Sequence, residues 1–88
     1  MKKIRKKIWP KYFEAIKSGK KTFELRLNDF DVKEGDILML EEWDPEKEKY
    51  TGRSLERKVL SVSKFRIEKL FWSEEEIKEK GLQIISLK

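Results

Sequence analysis

One stretch of the chain gathers the residue types that recognition chemistry needs: Gly19-Lys20-Lys21-Thr22-Phe23-Glu24-Leu25-Arg26. From Thr22 to Leu27 apolar and polar residues alternate strictly, the pattern of a half-buried strand. That alternation puts Thr22, Glu24 and Arg26 on one face and Phe23, Leu25 and Leu27 on the other, with Lys21 at the strand's entrance. A guanidinium and an ammonium can clamp a phosphate, while a carboxylate between them accepts from a base edge. The same residues could also form a surface ion-pair ladder, which a chain this rich in charge makes common. Nucleophilic chemistry has few alternatives. The chain contains no cysteine and no histidine, so thiolate and imidazole catalysis, disulfides, and zinc sites built on these ligands are excluded.

Charge is distributed unevenly. Residues 1–21 hold nine cations and one anion, whereas the other 67 residues hold 13 cations and 16 anions. A basic end on a near-neutral body is the footprint of a polyanion-binding face, in which Lys6, Lys7 and Lys20 are candidate contacts. A solubilising lysine run is the competing reading. Three tryptophans, Trp9, Trp43 and Trp72, fall at the ends of expected elements. Trp43, beside a charged loop, is the candidate for stacking on a base. Asp29, Asp31 and Glu34, or Asp44, Glu46 and Glu48, lack a calcium-loop pattern, and neither a metal nor a cofactor is expected.

The elements that must position these groups follow from local signals. The segment Lys3–Trp9 predicts a strand. Pro10 suits the first position of a helix, Tyr12, Phe13 and Ile16 make its apolar stripe, and Gly19 suits a left-handed cap after it. Glu34-Gly35-Asp36 supplies a turn before a strand at Ile37–Leu40, and Asp44–Lys49 reads as a hairpin tip. Arg53 to about Ile67 predicts one long bulged strand or two strands. Ser73 to Glu76 forms a capping box, with Trp72 and Ile77 as its hydrophobic staple. Gly81 ends that helix, and Leu82–Leu87 predicts a last strand. The expected class is α+β: a small mixed β-barrel of five to six strands with two short helices, in one domain spanning residues 1–88.

At 88 residues and 10.7 kDa, such a domain buries only roughly 60–65% of its unfolded surface. Its 44% charged residues match the Lys/Glu/Arg-rich composition of heat-adapted proteins, in which ion-pair networks supplement a small core. The longest apolar run, Ile37–Leu40, is far short of the ~20 residues a spanning helix needs. The basic N-terminus lacks the apolar region of a signal peptide. A cytoplasmic monomer with no membrane contact is expected.

The spacing Gly19-x-Lys21-x-x-Glu24-x-Arg26 resembles the G-x-K-x-x-E-x-R signature of the ASCH family, whose fold is PUA-like. Glu42-Trp43-Asp44-Pro45 and Tyr50-Thr51-Gly52 look like a subgroup of short stand-alone members. The resemblance implies a small barrel with a cleft beside the motif strand that binds RNA or a modified nucleoside. Its binding residues would be Lys20, Lys21, Glu24, Arg26, Trp43, Lys6 and Lys7. One branch of that family deacetylates 4-acetylcytidine, which implies an alternative: an amidohydrolase with Lys21, Thr22 and Glu24 as its catalytic group. The strand position that carries a threonine nucleophile in that branch holds Glu24 here, with Thr22 two residues early. A protein-interaction module without nucleic acid is the third reading.

Overall fold

The structure, a computed structural model, describes residues 1–85 and residue 87. Three strands and two helices follow in the order β1 (Lys3–Ile8), α1 (Pro10–Lys17), β2 (Ile37–Asp44), β3 (Lys49–Lys58) and α2 (Glu74–Lys80). A single 3₁₀ turn at Ile67–Lys69 precedes α2. The strands form one sheet in the order β1-β2-β3. β1 runs parallel to β2, from Lys3 opposite Ile37 to Ile8 opposite Glu42. β2 and β3 form an antiparallel hairpin from Ile37 opposite Lys58 to Asp44 opposite Lys49.

Local chemistry explains the elements that form. Pro10 opens α1 at its first turn, and the chain leaves it through Gly19, whose φ of 84° is the left-handed conformation glycine tolerates. The helix buries Phe13 and Ile16 against Ile8 and Leu40, with Leu38 and Leu55 packed at the margin. At the hairpin tip the Asp44 carboxylate accepts from the amides of Glu46 and Lys47, an Asx turn. Asp36, buried before β2, accepts from the amides of Lys2 and Lys33 at 3.0 and 2.9 Å. These backbone donors hold its carboxyl below the usual range and tie the start of β1 to the turn before β2. Ser73 and Glu76 cap α2 reciprocally.

The expected barrel of five to six strands does not form; the class is α+β with an open three-stranded sheet. Thr22–Leu27 is irregular rather than a strand, and Leu25 and Leu27 are exposed. Alternation needs a second apolar layer to bury its inward face, and the small core beneath α1 offers none there. β3 begins earlier than expected and ends at Lys58, so the expected long strand to Ile67 is cut short; residues 59–66 carry no regular structure. No strand forms at residues 82–85 or at residue 87, while residue 86 of the expected last strand lies outside the described residues. Closure would require each of these segments to pair. Trp72, expected to staple α2, is half exposed and meets Phe71 edge-on with centroids 6.1 Å apart.

Candidate functional site

The irregular segment after α1 brings the expected motif residues together by ion pairing instead of by a strand face. Lys21 follows α1, where its amide donates to the carbonyl of Ala15. Its ammonium lies 2.9 Å from Glu24 Oε1, while Arg26 Nε lies 2.9 Å from Glu24 Oε2. Glu24 is largely enclosed and bridges the two cations. Arg26 also donates to the main-chain carbonyl of Lys7 in β1. A guanidinium has five N–H donors, and among the described residues these contacts engage its Nε and one terminal nitrogen. Beside it opens a shallow groove lined by Lys6, Leu25, Arg26, Leu27, Asp29 and Phe30. The Lys6 ammonium sits 3.8 Å from the centre of the Phe30 ring, a cation–π contact on the groove wall.

The other expected site residues are divided by the alternation of β1. Lys6 joins Arg26 at the groove, whereas Lys7 turns to the opposite side of the sheet, its ammonium 3.8 Å from the Trp43 ring centre. Lys20 lies at a separate hollow with Lys11, Glu14, Ala15 and Ser18. Thr22 is exposed. The Lys21 ammonium, part of the catalytic group expected for a hydrolase, is engaged by Glu24 and lies near the rings of Tyr12 and Phe23, at 4.9 and 5.3 Å. The seven candidate binding residues therefore occupy three places: the groove and its triad, the Lys20 hollow, and the far face.

A second charged cluster went unread in the sequence. Glu42, 3% exposed, receives Arg53 Nε at 2.9 Å and an Arg53 terminal nitrogen at 2.8 Å, and also accepts from the Thr51 hydroxyl. Arg53 lies over the Phe13 ring at 4.6 Å and reaches Glu14 of α1 at 2.7 Å. Hydrogen bonds from Arg53 first, then Thr51, hold the Glu42 carboxyl below its ordinary range against the opposing effect of burial. Glu42 and then Glu14 push the guanidinium of Arg53 the other way, upward. The geometry depends on a bulge: between the Glu41–Ser54 and Trp43–Tyr50 pairs, Glu42 faces Thr51, Gly52 and Arg53, and Gly52 takes a φ of 93°. The signal was present in the sequence, since period two places Glu42 on the same face as Leu38 and Leu40. With both Glu42 oxygens engaged, this cluster braces α1 to the hairpin.

Comparison with known proteins adds family membership without a role. A family model described as a domain of unknown function, DUF3850, matches residues 5–71, from within β1 to the segment before α2. An uncharacterised 12.9 kDa protein in the GpA 3′ region of Escherichia phage P2 is 38% identical over 57 residues, covering 65% of this chain and 50% of the phage protein. The chain thus spans about half the length of that curated relative.

Proposed function

The chain belongs to the DUF3850 family, and from that starting point we propose that it binds RNA or a nucleotide-like ligand at the groove beside Lys21, Glu24 and Arg26. The observation that carries this reading is the way Arg26 is held. Glu24 and the Lys7 carbonyl fix its guanidinium at the groove wall, so little conformational freedom remains to be lost on binding an anion. Its uncommitted N–H groups and the Lys6 ammonium suit a phosphate, and Phe30 supplies an aromatic surface beside them. Lys21, Glu24 and Arg26 carry one net positive charge, and Asp29 on the rim is the opposing carboxylate. The resemblance to ASCH proteins points to the same class of ligand. The engagement of Lys21 by Glu24 favours binding over hydrolysis, because nucleophilic catalysis needs the base within hydrogen-bond reach of the hydroxyl.

Titration calorimetry with uridine monophosphate tests the reading. Arg26→Ala should weaken binding by about 1.5 kcal/mol, roughly tenfold, as expected for a charge-assisted hydrogen bond. Its melting temperature should move little, since part-exposed ion pairs contribute ~1 kcal/mol or less. Unchanged affinity together with a much lower melting temperature would make Arg26 a structural residue. Incubation with 4-acetylcytidine should release no cytidine; multiple turnover abolished by Lys21→Ala would replace the binding reading with a hydrolase.

A further inference from the structure

The face of the sheet opposite α1 carries an arrangement that the groove does not use. Lys7 Nζ lies 3.8 Å from the centre of the Trp43 ring and 5.7 Å from that of Tyr50. The two rings pack edge to face, with centroids 5.0 Å apart at 79°. Tyr50 remains 48% exposed. On the same face Lys3 reaches from β1 over β2 to Glu56 of β3 at 2.7 Å. Arg5 stands between Lys3 and Lys7 at the alternate position of β1. It is exposed and has no ion-pair partner among the described residues. Alternate positions on a strand are roughly 6.5–7 Å apart, so Lys3, Arg5 and Lys7 form a row of cations beside the aromatic pair. Register and alternation add Lys58, Glu41 and Glu56 to this face, giving four cations against two carboxylates. α1 covers the other side, where Leu40 is buried.

We propose that this face is a second nucleic-acid contact surface, which takes a single-stranded segment with a base stacked on Tyr50 and its phosphates along Arg5 and Lys7. Charge complementarity selects the ligand. A row of cations next to an exposed ring is the combination that grips single strands without reading their sequence. Lys7 already sits at the aromatic pair, so the cation and the stacking surface are assembled before the ligand arrives. None of Lys21, Glu24 and Arg26 takes part. The surface extends nucleotide binding to a longer strand and stands independently of the groove.

The experiment compares two probes on the full chain, matched in salt and repeated across a salt series: uridine monophosphate, and a fluorescein-labelled single-stranded oligo-uridylate followed by anisotropy. Tyr50→Ala should weaken the oligonucleotide about tenfold, within the range for one stacked base. Tyr50→Leu keeps apolar bulk in the hairpin and should lose as much, which separates stacking from folding. Arg5→Gln should weaken the oligonucleotide several-fold and reduce the salt dependence by about 0.7 in slope, one phosphate contact. All three variants should bind the mononucleotide as the parent does. Arg26→Ala should instead weaken the mononucleotide, so the two surfaces fail separately. Parent-like oligonucleotide affinity in a folded Tyr50→Leu variant would overturn the proposal. So would a parent protein that binds no oligonucleotide, or a concentration-dependent dimer that Tyr50→Ala dissociates, which would give this face to a second copy of the chain.

Discussion

Glu42→Gln tests whether one buried charge holds α1 to the hairpin. The Glu42 side chain is 4% accessible, and its two oxygens take two N–H groups from Arg53 and the hydroxyl of Thr51. Glutamine preserves the shape but replaces one acceptor with an NH2 donor, leaving a donor of Arg53 or Thr51 facing another donor. Breaking a buried pair costs about 3–5 kcal/mol, and the partial exposure of Arg53, which admits water, places the expected loss near about 3 kcal/mol. For a domain of this size each kcal/mol lowers the melting temperature by about 4–8 °C, so a drop of roughly 12–24 °C is expected near neutral pH. The effect should also depend on pH. The Glu42 carboxyl titrates below its ordinary value in the folded chain, chiefly through Arg53. Its contribution is therefore present above the unfolded-chain value of about 4.3 and is lost as pH falls through the folded value. Asp31, lowered chiefly by its Lys2 partner, and Asp36 titrate in the same direction in both proteins and cancel in the difference. Thermal unfolding followed by circular dichroism at neutral pH and at about pH 3 should show the gap between parent and variant narrowing on acidification. A gap within about 2 °C at neutral pH, or one unchanged by acid, would refute the assignment of Glu42 as an ionised brace.

Two further substitutions probe the scaffold. Leu40→Ala removes the most enclosed side chain, 1% exposed at the centre of a four-residue core, and should cost about 2–5 kcal/mol in denaturant unfolding. Ser73→Ala should cost the capping box about 1 kcal/mol. Since that helix buries none of its residues, the loss should appear as roughly fivefold faster amide exchange in α2 with little change in global melting.

The parts of the fold that were legible are those determined by neighbours in the chain. Pro10 and Gly19 bracket α1, Asp44 turns the hairpin, and Ser73 with Glu76 starts α2, each through contacts a few residues apart. The strands that failed to appear relied on something else. Phe23, Leu25 and Leu27 alternate as a strand should, but alternation specifies a face and not the surface that will cover it. The exposure of Leu25 and Leu27 shows that no such surface covers them among the described residues. In the candidate site, the motif spacing brought Lys21, Glu24 and Arg26 together, although through mutual ion pairs in an irregular segment. Treating Lys6 and Lys7 as one basic patch missed the pleat, which sends neighbouring side chains to opposite faces. Glu42 was missed because its partners, Thr51 and Arg53, meet it only where the bulge around Gly52 shifts the register.

The parallel pairing of β1 with β2 has a consequence for the order in which the chain can assemble. Lys3 finds its partner at Ile37, so during synthesis β1 lacks its pairing strand until β2 has followed it. β3 meets β2 through a short turn, a local closure with a small entropic cost, whereas β1 must close a long intervening segment. The hairpin is thus the natural template, and β1 with α1 docks onto it late. Until then the basic strand and the apolar stripe of the helix stay in solvent, and Ile8, Phe13 and Ile16 reach the core only when β1 and α1 fold back onto the hairpin. Of the three strands, the one synthesised first is the one that docks last.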